Sequence, residues 1–192
     1  MSPDARQNSP GSSVGAFVLV VGPSGAGKDT LLDGARRKLS DQPGFVFLRR
    51  TVTRASDHSE EHDSLTPAEF DQAAAQGRFA FWWKAHGLSY GVPSEAIDLE
   101  RSGHVIVCNG SRDAVGAARP LFARLRVVYI TAPPEVRLAR LQARGRDANI
   151  AERLDRKPTT DAEALADLVV SNDGPVEAGV AAIVQYLLSL RV

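Results

Sequence analysis

The chain is 192 residues long and carries 23 Lys+Arg against 23 Asp+Glu, a formal net charge of zero. That length suits one domain with room for an inserted lobe, and 43% apolar residues suffice for a buried core, which excludes wholesale disorder. The balanced charge argues against a nucleic-acid binder, whose domain would be strongly basic, and a single cysteine, Cys108, excludes an intrachain disulfide framework and a Cys-based zinc site.

Residues 1–14 are rich in Ser, Pro, Gly and polar groups and read as a disordered tail, leaving 15–192 as one domain. They contain no apolar run of signal-peptide length, and nothing downstream approaches a membrane span. The expectation is a cytoplasmic protein with no membrane partner. Residues 16–21 (AFVLVV) form a continuous apolar run that suits a strand buried on both faces. A glycine-rich break follows, then helical periodicity over 29–39. A second strand at 45–48 leads into Arg49–Arg50–Thr51–Val52–Thr53–Arg54, and 55–64 reads as a polar loop. Its His58, Glu60, Glu61, His62 and Asp63 resemble a metal cluster in composition but in no known ligand spacing. Thr66, Pro67 and Glu69 mark a helix start with a capping box, running to Gln76 and stopping at Gly77.

Residues 79–84 read as a strand, His86–Gly87 as a turn, and Pro93 as the opening of a helix over 94–102. Trp82 and Trp83 then face opposite ways, one into the core and the other lining the acceptor cavity. Further strands fall at 104–108, 126–130 and 168–170. Helices fall at 113–118 and 134–143, with a helical continuation at 149–156 and a closing amphipathic helix at 176–190. Buried strands alternating with helices predict an α/β fold, a parallel sheet wound on both faces, with residues 49–102 inserted as a lobe.

The segment Gly22, Pro23, Ser24, Gly25, Ala26, Gly27, Lys28 fits the first seven places of G-x-x-x-x-G-K-[ST], between a predicted strand and a predicted helix. Backbone N–H groups of such a turn form an anion nest, and the lysine reaches the outer phosphates of a nucleotide. Asp29 stands where Ser or Thr is usual, with Thr30 one place later. Asp29 either ligates Mg²⁺, a hard cation that prefers oxygen, or only favours the helix dipole.

The series GPSGAGK, T-x-T-R (51–54), HGLSYGVP (86–93) and RLQARGR (140–146) resembles the guanylate-kinase-like family of P-loop nucleoside-monophosphate-kinase folds. The resemblance implies ATP as phosphoryl donor with Mg²⁺, an inserted lobe that binds the phosphate acceptor, and an Arg-bearing lid at about 137–156. It implies ATP contacts from the loop through Lys28, Asp29 and Thr30, and from Arg146 and Asn172. It implies acceptor contacts from Arg54 and Tyr90, with Phe81 and Asn109 at matching positions, and catalytic roles for Lys28, Arg140, Arg144 and Arg153.

The departures are informative. Phe81 replaces the glutamate that reads guanine in that family, and Val92, Val107 and Asn109 replace further polar or acidic groups. The second acceptor-phosphate arginine falls at Asp57. A site lacking those groups cannot read a base by hydrogen bonding. The altered pattern, above all GPSGAGKD and HGLSYGVP, resembles the ribose 1,5-bisphosphate phosphokinase branch of phosphonate catabolism. That branch converts ribose 1,5-bisphosphate and ATP to 5-phospho-α-D-ribose 1-diphosphate (PRPP) and ADP. A guanylate kinase and a non-catalytic guanylate-kinase-like binding module are the alternatives. Of the 23 cations 19 are Arg, a bias that either reflects genomic composition or serves phosphate reading.

Overall fold

The structure, a computed structural model, describes residues 14–54, 63–85, 87–143 and 163–191. The disordered-tail expectation for residues up to 13, the loop at 55–62, His86 and the helical continuation at 149–156 lie outside the described residues.

Strands β1 (Ala16–Val21), β2 (Phe45–Leu48), β7 (Val105–Asn109), β8 (Leu125–Thr131) and β9 (Leu168–Ser171) form a parallel sheet in the order β2-β7-β1-β8-β9. β1 is central and wholly buried. Because successive side chains of a strand point to opposite faces, Phe17, Leu19 and Val21 enter one core while Ala16, Val18 and Val20 enter the other. The second core is closed by helices α1 (Lys28–Lys38) and α6 (Val176–Ser189). These two helices approach closely: a Cβ on Gly34 would lie 2.4 Å from Val180 Cγ2.

The insertion is a separate four-stranded sheet in the order β4-β3-β6-β5. Its members are β3 (Thr51–Val52), β4 (Asp63–Ser64), β5 (Phe79–Ala85) and β6 (Leu88–Pro93). Helix α2 (Pro67–Ala75) is fixed by the expected box: Thr66 N donates to Glu69 Oε2 at 2.8 Å and Glu69 N to Thr66 Oγ1 at 3.3 Å. Trp83 is buried and Trp82 exposed.

Two expectations are corrected here. Pro93, read as the opening of the helix over 94–102, is instead the last residue of strand β6, antiparallel to β5, where it lies opposite Phe79. Proline is tolerated there because a strand end needs no donor from it. Asp63–Ser64, read as loop, pairs in parallel with β3. Helix α3 (Glu95–Arg101) then returns the chain to the main sheet. Its Glu100, 2% exposed, accepts from Ala123 N at 3.2 Å and Arg124 N at 2.8 Å, so a buried carboxylate is compensated by two main-chain donors. The remaining helices are α4 (Ala114–Ala118) and α5 (Pro134–Ala143). Among the described residues, no helix is long and apolar enough to cross a membrane.

Candidate active site

The turn between β1 and α1 sits at the carboxyl ends of the parallel strands, where open α/β sheets bind ligands. Gly22, Gly25 and Gly27 all have positive φ, at 148°, 79° and 86°. Each is also crowded: an added Cβ would meet Ile130 O at 1.9 Å, Arg137 O at 2.8 Å and Asn172 Nδ2 at 2.3 Å, respectively. Conformation and packing therefore both demand glycine. Gly27 caps α1, its carbonyl accepting from Leu31 N at 3.1 Å. The first N–H groups of α1 have no partner within the helix and, with the helix dipole, favour an anion.

Lys28 Nζ donates to Gly22 O at 2.9 Å and Pro23 O at 3.2 Å, so the ammonium is held across the loop rather than directed away. Ala26 O is a shared anchor. Asn172 Nδ2 donates to it at 2.8 Å and Arg140 Nη1 at 3.4 Å, while Arg140 Nη2 donates to Asn172 O at 3.0 Å. The ends of α5 and β9 are thereby tied to the phosphate loop. Arg140, expected as a catalytic lid arginine, and Asn172, expected to contact ATP, both lie against Ala26 of the loop. Arg144, Arg146 and Arg153 lie outside the described residues. Thr30 is exposed on α1.

On the other side of the loop, Asn109 at the end of β7 donates from Nδ2 to Asp29 Oδ1 at 2.6 Å. Its main-chain oxygen accepts from Arg50 Nη1 at 3.2 Å. The Arg50 guanidinium lies 5.0 Å from the Tyr90 ring centroid, and Tyr90 in turn stacks on Trp83 at 5.4 Å and 12°. Tyr90 pairs with Val52, and Thr53 continues the pairing, its N donating to Ser89 O at 3.1 Å. That register carries Arg54 to the same end of the lobe as Tyr90. Of the expected acceptor residues, Asn109 reaches the loop by spending its amide on Asp29, and Tyr90 is linked to Asn109 through Arg50. Phe81 is 6% exposed and packs against Phe17, Phe122 and Trp83, so it closes the floor of the lobe with an apolar ring.

Sequence reasoning misses Arg50, because a doublet before T-x-T-R looks like a solvated edge. The residue is half-buried, and desolvation pushes its pKa down, opposed chiefly by Cys108, Asp29 and Tyr90. Cys108 is fully buried, which pushes its thiol up to about 12, with Arg50 acting in the opposite sense. A neutral buried thiol is a poor nucleophile. We expect Cys108 to stay unlabelled by a disulfide reagent at pH 8 in native protein and to react fully in denaturant. Rapid native labelling would contradict that burial. The unfolded thiol ionises from about pH 8.5 and the native one only near 12, so this group's stabilisation is complete below about 8.5 and declines above it.

A glycine-rich loop at the carboxyl edge of a parallel sheet, flanked by an inserted lobe and clamped by an arginine, defines a P-loop phosphotransferase. The chain matches a family model described as an AAA domain over residues 18–163. It is 46% identical over 175 residues to the ribose 1,5-bisphosphate phosphokinase PhnN of Methylobacterium radiotolerans, covering 90% of this chain and 97% of that one. It is 48% identical over 165 residues to the protein of the same name from Bradyrhizobium diazoefficiens, covering 85% and 83%. Among solved structures, guanylate kinase from Anaplasma phagocytophilum superposes with a TM-score of 0.66 at 19% identity, covering 94% of this chain and 88% of that one; this likeness shows the fold. The chain belongs to the ribose 1,5-bisphosphate phosphokinase family.

Proposed function

We propose that the protein transfers the γ-phosphoryl group of ATP to the 1-phosphate of ribose 1,5-bisphosphate, giving PRPP and ADP in the cytoplasm. The observation that carries this is 43–48% identity over most of the chain to relatives bearing that name. The site chemistry agrees with it. Phe81, Val92 and Val107 are buried apolar residues at the places where a guanine reader needs polar groups.

The acceptor is itself a phosphate whose second pKa is near ~6, so its oxygen is nucleophilic at neutral pH without a general base. That oxygen bonds to the γ-phosphorus, the bond to the β,γ-bridging oxygen breaks, and ADP leaves. The protein's task is positioning and charge neutralisation. The loop N–H groups and Lys28 hold the donor phosphates, Arg140 braces the loop, and Arg144, Arg146 and Arg153 are assigned to the lid. Arg54 and Tyr90 orient the acceptor phosphate.

Mg²⁺ fits the residues present. Asp29 offers a carboxylate beside the loop lysine, and the buried Asn109 Oδ1 has no hydrogen-bond partner among the described residues. Mg²⁺ commonly takes one or two protein oxygens with the rest from phosphates and water. When bound it neutralises phosphoryl charge, and Asp29 would hold it.

An ADP-release assay comparing ribose 1,5-bisphosphate with GMP tests the reading. Turnover of the sugar bisphosphate is expected. Turnover of GMP alone would make the protein a guanylate kinase, and turnover of neither would make it a binding module.

A further inference from the structure

We propose that Asn109 is a positioning residue for Mg²⁺, holding the Asp29 carboxylate that follows the loop lysine; this rests on the functional reading above, in its assignment of ATP and Mg²⁺. P-loop enzymes ordinarily hold the metal through a Ser or Thr after that lysine and a separate Asp. Here the carboxylate itself, Asp29, follows Lys28, and the group that meets it is an amide. Asn109 Nδ2 donates to Asp29 Oδ1 at 2.6 Å. The bond is placed at the loop. Asn109 ends β7 beside Val20 of β1, and Gly110 N donates to Val20 O at 2.8 Å. Asp29 is the second residue of α1. The strand next to β1 is thereby tied to the first turn of the helix that leaves the loop.

An ionised carboxylate only accepts hydrogen bonds, so the amide must give it Nδ2 and turn Oδ1 elsewhere. That Oδ1 is buried without a hydrogen-bond partner among the described residues, where Asp29 Oδ2 also accepts none. Pinning one carboxylate oxygen restricts the side chain and leaves the other for a cation. Mg²⁺ keeps several of its waters, and a metal-bound water is a donor suited to Asn109 Oδ1. An aspartate at 109 would set two like charges against each other, whereas the amide orients Asp29 without opposing it. Arg50 Nη1 holds the main-chain oxygen of Asn109 at 3.2 Å, an anchor that does not depend on the Asn109 side chain.

The experiment measures binding of a non-hydrolysable ATP analogue by calorimetry over a range of Mg²⁺ concentrations, with thermal unfolding of the metal-free protein alongside. Wild type is compared with Asn109→Leu, Asp29→Ser and the exchange Asp29→Ser/Asn109→Asp. Losing a partner that orients a metal ligand costs about 10–100-fold in metal affinity. The Mg²⁺ midpoint of Asn109→Leu is expected to rise by that factor, with analogue affinity in the absence of metal unchanged. Asp29→Ser is expected to lose at least as much. The exchange restores a hydroxyl after the lysine and a carboxylate beside it. Its midpoint is expected nearer wild type than that of either single variant, the non-additivity of residues that act as a pair.

An unchanged Mg²⁺ midpoint in Asn109→Leu overturns the inference. Equal weakening with and without Mg²⁺, together with a lower melting temperature, also overturns it, since a merely structural contact behaves that way. An exchange variant weaker than both single variants overturns it as well. Wild-type binding indifferent to Mg²⁺ overturns the metal assignment and this inference with it. A wild type with the expected Mg²⁺ response and no turnover of ribose 1,5-bisphosphate overturns the acceptor reading and leaves this inference standing.

Discussion

Replacing Lys28 by Ala is expected to lower kcat by about 10²–10³-fold, the loss typical when one preorganised donor to a charged transition state is removed. Lys28 is the one cation within residues 22–28, the loop itself. Its hydrogen bonds to Gly22 O and Pro23 O show how it is held: the two carbonyls restrict the long side chain, so less rotamer entropy is lost on reaching a phosphate. Those same bonds mean that the variant also loses about 0.5–1.5 kcal/mol for each contact within the loop. Steady-state kinetics and nucleotide binding separate the two effects. If kcat falls less than tenfold while only ATP affinity drops, Lys28 acts as a tether and not on the reacting phosphate.

The second large effect is expected at Gly22. A methyl group there would sit 1.9 Å from Ile130 O, on a backbone with φ of 148°. The obstacle is main chain of β8, the neighbour of β1, so no side-chain rotation relieves it. We expect Gly22→Ala to lose about 3 kcal/mol or more, a fall of roughly 6–12 °C in Tm for a domain of this size, together with ATP binding. Gly44→Ala is the control. It has φ of 88° and no heavy atom within 4 Å of where its new methyl group would lie, so it carries backbone strain alone, about 1 kcal/mol. Equal losses in calorimetric unfolding of the two variants would refute steric overlap as the cause at Gly22.

The three central strands β1, β7 and β8 could be read from the chain, because largely buried strands announce themselves as apolar runs, and each of these is followed by a helix. The phosphate loop was readable for a different reason: its spacing is fixed by the ligand it must wrap. The lobe was less legible. β6 contains Gly91 and Pro93, both depleted in strands, and it exists because Phe79 packs over Gly91, where a Cβ would be 2.6 Å from the ring. β3 and β4 are two residues each, too short to carry a period. Among the site residues, Arg54, Tyr90 and Asn109 could be named from motif positions alone. Arg50 could not, since Arg49 and Arg50 look alike in sequence and differ only in the face each takes: Arg49 is exposed, and Arg50 turns toward Asn109 and Tyr90. Likewise, nothing in the sequence tells that Arg140 and Asn172 meet at one carbonyl.

The lobe's floor has a consequence for how acceptor preference can change. Phe81 and Trp83 belong to the same apolar cluster as Phe17, Leu19 and Val21 of the central strand. Placing a carboxylate at Phe81 to recruit a base would therefore bury an unpaired charge inside the core before it reached any ligand. A substitution that alters what is held without unseating the strand that carries the phosphate loop must therefore fall outside that cluster.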